Sequence, residues 1–295
     1  MTTAAPMLAD ALGPRARRRV LVVSVVAGAV VLGLLYVAGK RFADNGQLDA
    51  EKWKLFTQWG VIKFFLGGLG NTLRVALVAM VLAVLLGFAL ALGRLALSAP
   101  VRWLAGLYIQ IFRGLPVLLF ILFAYNGLPK LGIDLSKAQY LILALVAYNS
   151  AVLGEIFRAG ILSLDRGQSE AAFAVGLSYW NAMRLVVLPQ ALRRMVPAIV
   201  SQLVTLLKDT ALGFIIGYEE LLRRGQLSGV YSGNLLQSLI VASMIYIAVN
   251  VMLGRIARRL EVRQRRRLGA GPIKVTGVEE LTIVAGYRGS SHLGH

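Results

Sequence analysis

Five charged side chains interrupt apolar stretches that are otherwise long enough to approach the length of a membrane helix. They are Arg113, Glu155, Arg158, Lys208 and Asp209. A charged side chain costs about 2.5–3.5 kcal/mol at the centre of a membrane helix on insertion scales, so such residues usually face a bundle interior, a water-filled cavity or a partner. These five are therefore the candidate residues for a path along which a polar solute crosses the membrane.

Each candidate also has a structural explanation that the sequence leaves open. Arg113 lies about seven residues, roughly 10 Å, into its predicted span and can extend its guanidinium to the headgroups. Glu155 and Arg158 are three residues apart and can form an ion pair on one helix face. Lys208 and Asp209 are adjacent and point to different sides of a helix, so they need partners on other spans, a break in the helix, or the ligand.

The side chains that most enzymes use are almost absent. The sequence has no cysteine, which excludes disulfides, thiolate chemistry and iron–sulfur clusters, and its two histidines are His292 and His295 at the C-terminal end. No Gly-x-x-x-x-Gly-Lys-Ser/Thr loop is present to hold nucleotide phosphates. We expect no bound cofactor. An integral-membrane enzyme would have to rely on carboxylates and hydroxyls, which show no recurring spacing here.

The composition is that of a membrane protein. Of 295 residues, 57% are apolar and 16% charged, and the mean hydropathy is +0.69. Since about 20 apolar residues cross the hydrocarbon core as a helix, the long uncharged runs predict an all-α integral membrane fold. The six predicted spans are approximately 20–39, 72–93, 106–128, 139–160, 195–217 and 234–254. The first could also be a signal peptide, but it is long and lacks a convincing cleavage site, so we interpret it as a retained helix.

Basic residues predict the orientation. The N-terminus, two alternate loops and the C-terminal region hold 20 Lys and Arg residues, against ten on the opposite side. Because basic loops remain in the cytoplasm, we expect a multi-pass protein of the bacterial plasma membrane with both termini cytoplasmic. On this interpretation the +18 net charge reflects topology and not nucleic-acid binding. Residues 1–19 form a basic N-terminus, and residues 261–295 a basic and disordered tail.

The predicted cytoplasmic segment between the fourth and fifth spans is patterned more strongly than a simple connection. Asp165 with Gln168 has the spacing of a capping box that opens a short helix, and Gly176 can end that helix in the left-handed conformation. Ser178 can cap a second helix, which places Trp180, Met183 and Val187 on one face, and Pro189 is expected to end it. The small residues Ala171 and Ala172 allow close approach of a partner. We call residues 165–190 the elbow segment.

The elbow segment resembles the cytoplasmic signature of the membrane subunits of binding-protein-dependent ABC importers. That signature is Glu-Ala-Ala, three residues, Gly, nine residues, an aliphatic residue, one residue and Leu-Pro. It corresponds here to Glu170-Ala171-Ala172, Gly176, Val186 and Leu188-Pro189, with Val in place of the usual Ile.

A second resemblance, over about residues 66–260, is to the polar amino acid permeases of the histidine, glutamine and glutamate type. It rests on motifs in four spans: Gly70-Asn71-Thr72, Phe112 to Pro116, Ala147-Tyr148 with Glu155 to Ile161, and Leu207 to Leu212. Leu115 and Ala211 stand where Thr and Ser are common. The resemblance implies a five-helix type I importer core, to which residues 20–39 add an extra N-terminal helix, as in some glutamate permeases of actinobacteria.

The resemblance also implies a mechanism and its partners. Two permease subunits, identical or similar, would bind a cytoplasmic ABC ATPase dimer that uses ATP and Mg²⁺, and an extracytoplasmic amino-acid-binding protein would deliver the substrate. The elbow segment would dock on the ATPase: Glu170 through an electrostatic or capping contact, Ala171 and Ala172 by close approach, and Gly176 at the bend, with Leu188 and Pro189 completing the segment. Closure of the ATPase would then switch the lipid-embedded helices by alternating access.

The overall pattern of the third span and the extra first helix favour glutamate or a similar amino acid as substrate. Two alternatives remain at the level of sequence. One is an importer permease for a different small polar solute. The other is a secondary amino acid carrier driven by an ion gradient, although such carriers usually have more spans and a visible internal repeat.

Overall fold

The computed structural model describes residues 13–267, except for the side chains of residues 14, 166, 256–258 and 260–267. Within this range the secondary structure is helical and no strand is present, which confirms the all-α class. The α-helices are α1 (Pro14–Asp44), α2 (Ala50–Lys54), α3 (Trp59–Arg94), α4 (Ala99–Gly114), α5 (Val117–Gly127), α6 (Lys137–Leu162), α7 (Arg166–Ala174), α8 (Tyr179–Ala182), α9 (Leu188–Asp209), α10 (Leu221–Ser232) and α11 (Leu235–Arg267). Shorter 3-10 helices occupy Leu55–Thr57, Leu128–Leu131 and Thr210–Ile216, and a π-helix occupies Met183–Val187.

The described residues contain five helices, or consecutive helical runs, that are long and apolar enough to cross a membrane, and six if the bent pair α4 and α5 counts as one span. This pair corresponds to the predicted third span at 106–128, which is therefore not one straight helix. The two parts meet at an angle of 99°. The bend follows from Pro116, which has no N–H to donate and restricts the residue before it; Leu115 is accordingly extended, with φ −115° and ψ 146°.

Several helices are longer than the predicted spans. Helix α3 begins 13 residues before the predicted start at 72, since residues 59–71 contain no proline to interrupt it. Helix α11 continues to Arg267 because Arg and Glu are good helix formers outside lipid as well. The predicted disordered tail at 261–295 is thus wrong for residues 261–267, which are helical. Residues 1–12 of the basic N-terminus and 268–295 of the tail, with both histidines, lie outside the described residues.

Contacts divide the chain into two compact units, Met1–Leu66 with Arg224–Val241, and Gly67–Arg223 with Ala242–His295. The core of the larger unit is formed by aliphatic side chains of α6 and α9, with Leu141, Leu153 and Leu206 fully buried. Helices α3 and α6 approach through backbone contact: a Cβ on Gly87 would lie 2.9 Å from the carbonyl oxygen of Ser150. Small residues permit such close packing where lipid provides no hydrophobic drive between helices.

In the smaller unit, polar contacts attach the connector after α1 to the start of α11. The Gln237 side chain donates to the carbonyl oxygen of Gln47 at 2.7 Å, and the Asn234 amide donates to that of Lys52 at 3.4 Å. Helix α1 itself has no buried residue within its candidate membrane span. The first predicted span is therefore a separate helix, held in this chain through its connector.

Candidate functional site

The elbow segment begins with a side-chain cap. The Asp165 carboxylate accepts a hydrogen bond from the backbone N–H of Gly167 at 2.9 Å and so caps α7. Gln168 does not complete the predicted capping box, because its side chain accepts a hydrogen bond from Gln190 at 3.0 Å instead. The reciprocal box occurs elsewhere, at Ser136 and Gln139 before α6. The Gln168–Gln190 bond therefore connects α7 to α9.

The predicted glycine bend is confirmed. Gly176 has φ +83°, a conformation that residues with a Cβ rarely adopt. Its N–H donates to the carbonyl oxygen of Phe173 at 2.9 Å, and the N–H of Leu177 donates to that of Ala172 at 3.1 Å. These two bonds satisfy carbonyl groups at the end of α7 and reverse the chain toward α8. Ser178 occupies the predicted cap position of α8, but its side chain makes no capping hydrogen bond.

Pro189 does not end a helix, contrary to the prediction. A continuous helical run extends over Tyr179–Ile216, and Pro189 lies in the first turn of α9. A proline ring would clash with the carbonyl group four residues earlier, at Leu185, in a regular α-helix. The π-helix at Met183–Val187 widens the turn that contains this carbonyl group, which explains how the helix continues.

The π-helix also explains a second error. Trp180 and Val187 were predicted on one face, but Trp180 is 68% exposed whereas Val187 is 5% exposed. The prediction assumed 3.6 residues per turn, and the wider turn between the two residues changes that spacing.

The elbow segment exposes large apolar side chains. Phe173, Val175 and Trp180, which we call the elbow patch, lie within eight residues of sequence and are 46%, 77% and 68% exposed. Exposed apolar side chains grouped in this way are typical of interaction sites. Glu170 and Ala171 are also exposed, whereas Ala172 is buried within the chain and is not available for close approach by a partner.

Three of the predicted pathway residues lie together in the larger unit. The Arg158 guanidinium donates to the Glu155 carboxylate, with its Nε at 3.0 Å, which confirms the predicted pair on α6. Arg113, at the end of α4, has its Nη1 at 4.0 Å from the same carboxylate. One carboxylate therefore serves two guanidinium groups, and Arg113 extends toward α6.

Lys208 and Asp209 are located at the end of α9, away from any such pairing. Neither side chain makes a hydrogen bond or salt bridge within the part of the chain that the structure describes. Lys208 is exposed on a helix of the candidate membrane spans. Because an isolated ammonium group is costly in lipid, this side chain requires water, a ligand or another subunit.

A buried polar cluster around Glu220 was missed by the sequence analysis. Glu220 lies between the predicted spans 195–217 and 234–254, outside both, yet it is fully buried. Its carboxylate accepts hydrogen bonds from the N–H groups of Leu222 at 2.8 Å and Arg223 at 2.6 Å, and from the Tyr246 hydroxyl at 2.6 Å. Tyr246 is the twelfth residue of α11. At 1.5 Å per residue, the Glu220 carboxylate therefore contacts this helix about 16 Å from its first residue.

Two threonines complete this cluster. Thr72 and Thr210 are buried, and both hydroxyls interact with that of Tyr246. The Thr72 hydroxyl also accepts a hydrogen bond from the N–H of Leu221 at 3.1 Å. Both threonines belong to motifs noted above, Gly70-Asn71-Thr72 and Leu207 to Leu212, so the sequence contained a signal for these two residues. Glu220 lies in none of the motifs, and the sequence contained no signal for it.

A second missed pair joins α6 to α9. Asn149 is fully buried, and its side-chain oxygen Oδ1 accepts a hydrogen bond from the side-chain amide of Gln202 at 2.8 Å. Asn149 directly follows the quoted Ala147-Tyr148 motif. Among the described residues, no group of three His, Cys, Asp or Glu residues is placed to hold a metal ion.

We expect Tyr246→Phe to destabilise the protein by about 1–3 kcal/mol, because the buried Glu220 carboxylate loses a donor while its other contacts remain. The measurement is the thermal unfolding midpoint of the purified protein in detergent. Tyr231→Phe is the matched control, since Tyr231 is 90% exposed. Equal midpoints for both variants would contradict a stabilising role of the hydroxyl.

The comparisons with known proteins agree with this architecture. Residues 83–266 match the family described as binding-protein-dependent transport system inner membrane component. The glutamate transport system permease protein GluD of Corynebacterium glutamicum is 40% identical over 235 residues, or 78% of this chain and 84% of that protein. The arginine transport system permease protein ArtQ of Bacillus subtilis is 37% identical over 68% of this chain and 92% of its own length. A solved amino acid ABC transporter with histidines matches with a TM-score of 0.66 and 31% identity, over 68% of this chain and 94% of that chain.

The helical membrane fold and these matches define a membrane subunit of an ABC importer, a transport component and not an enzyme. More particularly, the chain belongs to the family of binding-protein-dependent transport system inner membrane components, among its polar amino acid permeases.

Proposed function

We propose that this permease forms the translocation pathway for glutamate or a similar amino acid in the bacterial plasma membrane, by ATP-driven alternating access. The observation that carries the substrate assignment is the 40% identity to the C. glutamicum glutamate permease. The charges within the spans support it. The spans hold three basic candidates and two acidic ones: Arg113, Arg158 and Lys208 against Glu155 and Asp209. This excess of positive charge suits a substrate with two carboxylates.

The proposed assembly contains two permease subunits, identical or similar, a cytoplasmic ABC ATPase dimer and an extracytoplasmic amino-acid-binding protein. In this assembly the ATPase uses ATP and Mg²⁺. The exposed elbow patch supports docking at the ATPase, and with both termini cytoplasmic the elbow segment faces the same side. Glu170 and Ala171 then contact the ATPase surface, and Gly176 sets the bend between α7 and α8.

The test is uptake of radiolabelled glutamate by proteoliposomes that contain the permease, with the ATPase and binding protein encoded by neighbouring reading frames. We expect saturable uptake that requires ATP on the ATPase side and binding protein on the other, with competition by aspartate stronger than by arginine. Dissipating sodium and proton gradients should leave uptake unchanged. Uptake that follows an ion gradient without ATP would instead establish the secondary carrier, and stronger competition by another solute would correct the substrate.

A further inference from the structure

A cavity of about 390 Å³ lies in the larger unit, where the end of α3 meets α4 and α6. Its polar lining consists of Arg94, Gln110, Arg113 and Glu155. The size is within the range of small-molecule sites. It is located toward the end of α6 that leads into the elbow segment, and Arg94 is a residue that the sequence analysis did not select.

The charges around this cavity do not balance. Glu155 is its one carboxylate among the lining residues, and it already accepts hydrogen bonds from Arg158. Arg113 reaches the same carboxylate only at 4.0 Å, and 47% of its side chain is exposed. Three guanidinium groups thus surround one carboxylate, which leaves an excess of positive charge beside apolar membrane helices.

The Arg94 guanidinium has unused hydrogen-bonding capacity. Its Nε is buried and has no hydrogen-bond partner among the described residues. It forms no salt bridge there, although it acts electrostatically on Glu155. A guanidinium with an unpaired buried donor and no ion pair is incompletely satisfied, so a ligand in the cavity that accepts from its terminal Nη groups would bind with a gain in free energy.

Gly106 determines where the Arg94 head group lies. A Cβ at this position would be 2.6 Å from the Arg94 Nη1 and 3.3 Å from its Cζ. The absence of a side chain on α4 therefore lets the guanidinium rest against the helix at the cavity. Any larger residue must displace the end of this flexible side chain, while the backbone can stay in place.

We propose that this cavity binds an oxyanion, with Arg94 and Arg113 as its ligands and the Glu155–Arg158 pair as the group that positions them. A guanidinium presents donors in a planar fork that matches the two oxygens of a carboxylate or phosphate. Two sources supply this chemistry: the carboxylate of the transported amino acid and the phosphate of an anionic lipid headgroup. The first rests on the proposed function, whereas the second does not.

The experiment uses the purified permease with its ATPase in nanodiscs, without binding protein. One arm measures equilibrium binding of radiolabelled glutamate in discs of phosphatidylcholine alone. The other measures, by native mass spectrometry, the phosphatidylglycerol retained from mixed discs. We expect Arg94→Gln and Arg113→Gln each to lower binding of at least one probe roughly tenfold or more, since each removes a charge-assisted donor. Weaker glutamate binding identifies the amino acid as the ligand. Lower retention of phosphatidylglycerol with unchanged glutamate binding identifies the lipid headgroup as the ligand.

Arg102→Gln is the matched control. Arg102 is an exposed arginine on α4 whose Nη1 donates to the carbonyl oxygens of Ala96 and Leu97, outside the cavity lining. Gly106→Ala is a second variant that keeps every charge but displaces the Arg94 head group, and it should weaken binding of the same probe. Wild-type binding of both probes in the Arg94 and Arg113 variants overturns the proposal, as does equal loss in Arg102→Gln. The uptake assay above is independent of these results, so the two proposals can fail separately.

Discussion

We expect Trp180→Asp to abolish glutamate uptake while the permease remains in the membrane, which is the largest effect that we predict. Trp180 is exposed beside the glycine bend of the elbow segment. Tryptophan in the centre of an interface typically contributes 2 kcal/mol or more, equivalent to a loss of affinity of roughly 30-fold, and a carboxylate adds a desolvation cost. The measurements are uptake and the amount of ATPase that co-purifies with the permease.

The control for this experiment is Leu97→Asp, an equivalent change at a residue that is 86% exposed in the loop between α3 and α4. It introduces the same charge outside the elbow segment. We expect normal uptake and normal co-purification. If Trp180→Asp retained its ATPase and its uptake, the elbow patch would not be the docking surface.

Lys208→Ala is expected to lower uptake by roughly tenfold or more, because it removes a charged donor available to a substrate carboxylate. Its thermal stability should change little, since the Lys208 side chain makes no hydrogen bond or salt bridge within the described residues and acts on the neighbouring Asp209 only electrostatically. The separation of the two readouts is what distinguishes a pathway residue from a structural one. Uptake is measured at several glutamate concentrations, together with the thermal midpoint in detergent.

Lys130→Ala provides the comparison. Lys130 is an exposed lysine in the connection after α5, outside the long helices. It should transport as the wild type does. Normal uptake by Lys208→Ala at wild-type abundance would remove Lys208 from the pathway, and a lowered midpoint would show that it has a structural role.

Periodicity and length were sufficient to predict the helical class and most spans, because apolar runs near 20 residues have few alternatives in lipid. The glycine bend at Gly176 was also predictable, since it depends on one residue type in one conformation. Pro189 was not: its effect depends on whether the preceding turn can widen, and the 3.6-residue repeat does not contain that information.

The candidate site was predictable only where its members are close in sequence. The Glu155–Arg158 pair follows from three-residue spacing on a helix. Arg94 and Glu220 depend on contacts over long sequence separations: Arg94 lies against Gly106 of the next helix, and Glu220 binds Tyr246 from another. Glu220 also occurs in a polar stretch that resembles a solvent-exposed connection, and single-sequence patterns do not reveal that it folds back among the helices.

The unbroken helix from Tyr179 to Ile216 has a mechanical consequence. Its 38 residues join the elbow segment to Lys208 and Asp209 with no loop between them. The run is not uniform, since it includes the π-helix at Met183–Val187, the prolines Pro189 and Pro197, which donate no backbone hydrogen bond, and the 3-10 helix at Thr210–Ile216. With the proposed docking, a displacement at Trp180 would therefore reach Lys208 along one helical run that can bend at these positions. The stiffness of this helical run would then determine how much of the movement produced by closure of the ATPase reaches the residues proposed to contact the solute.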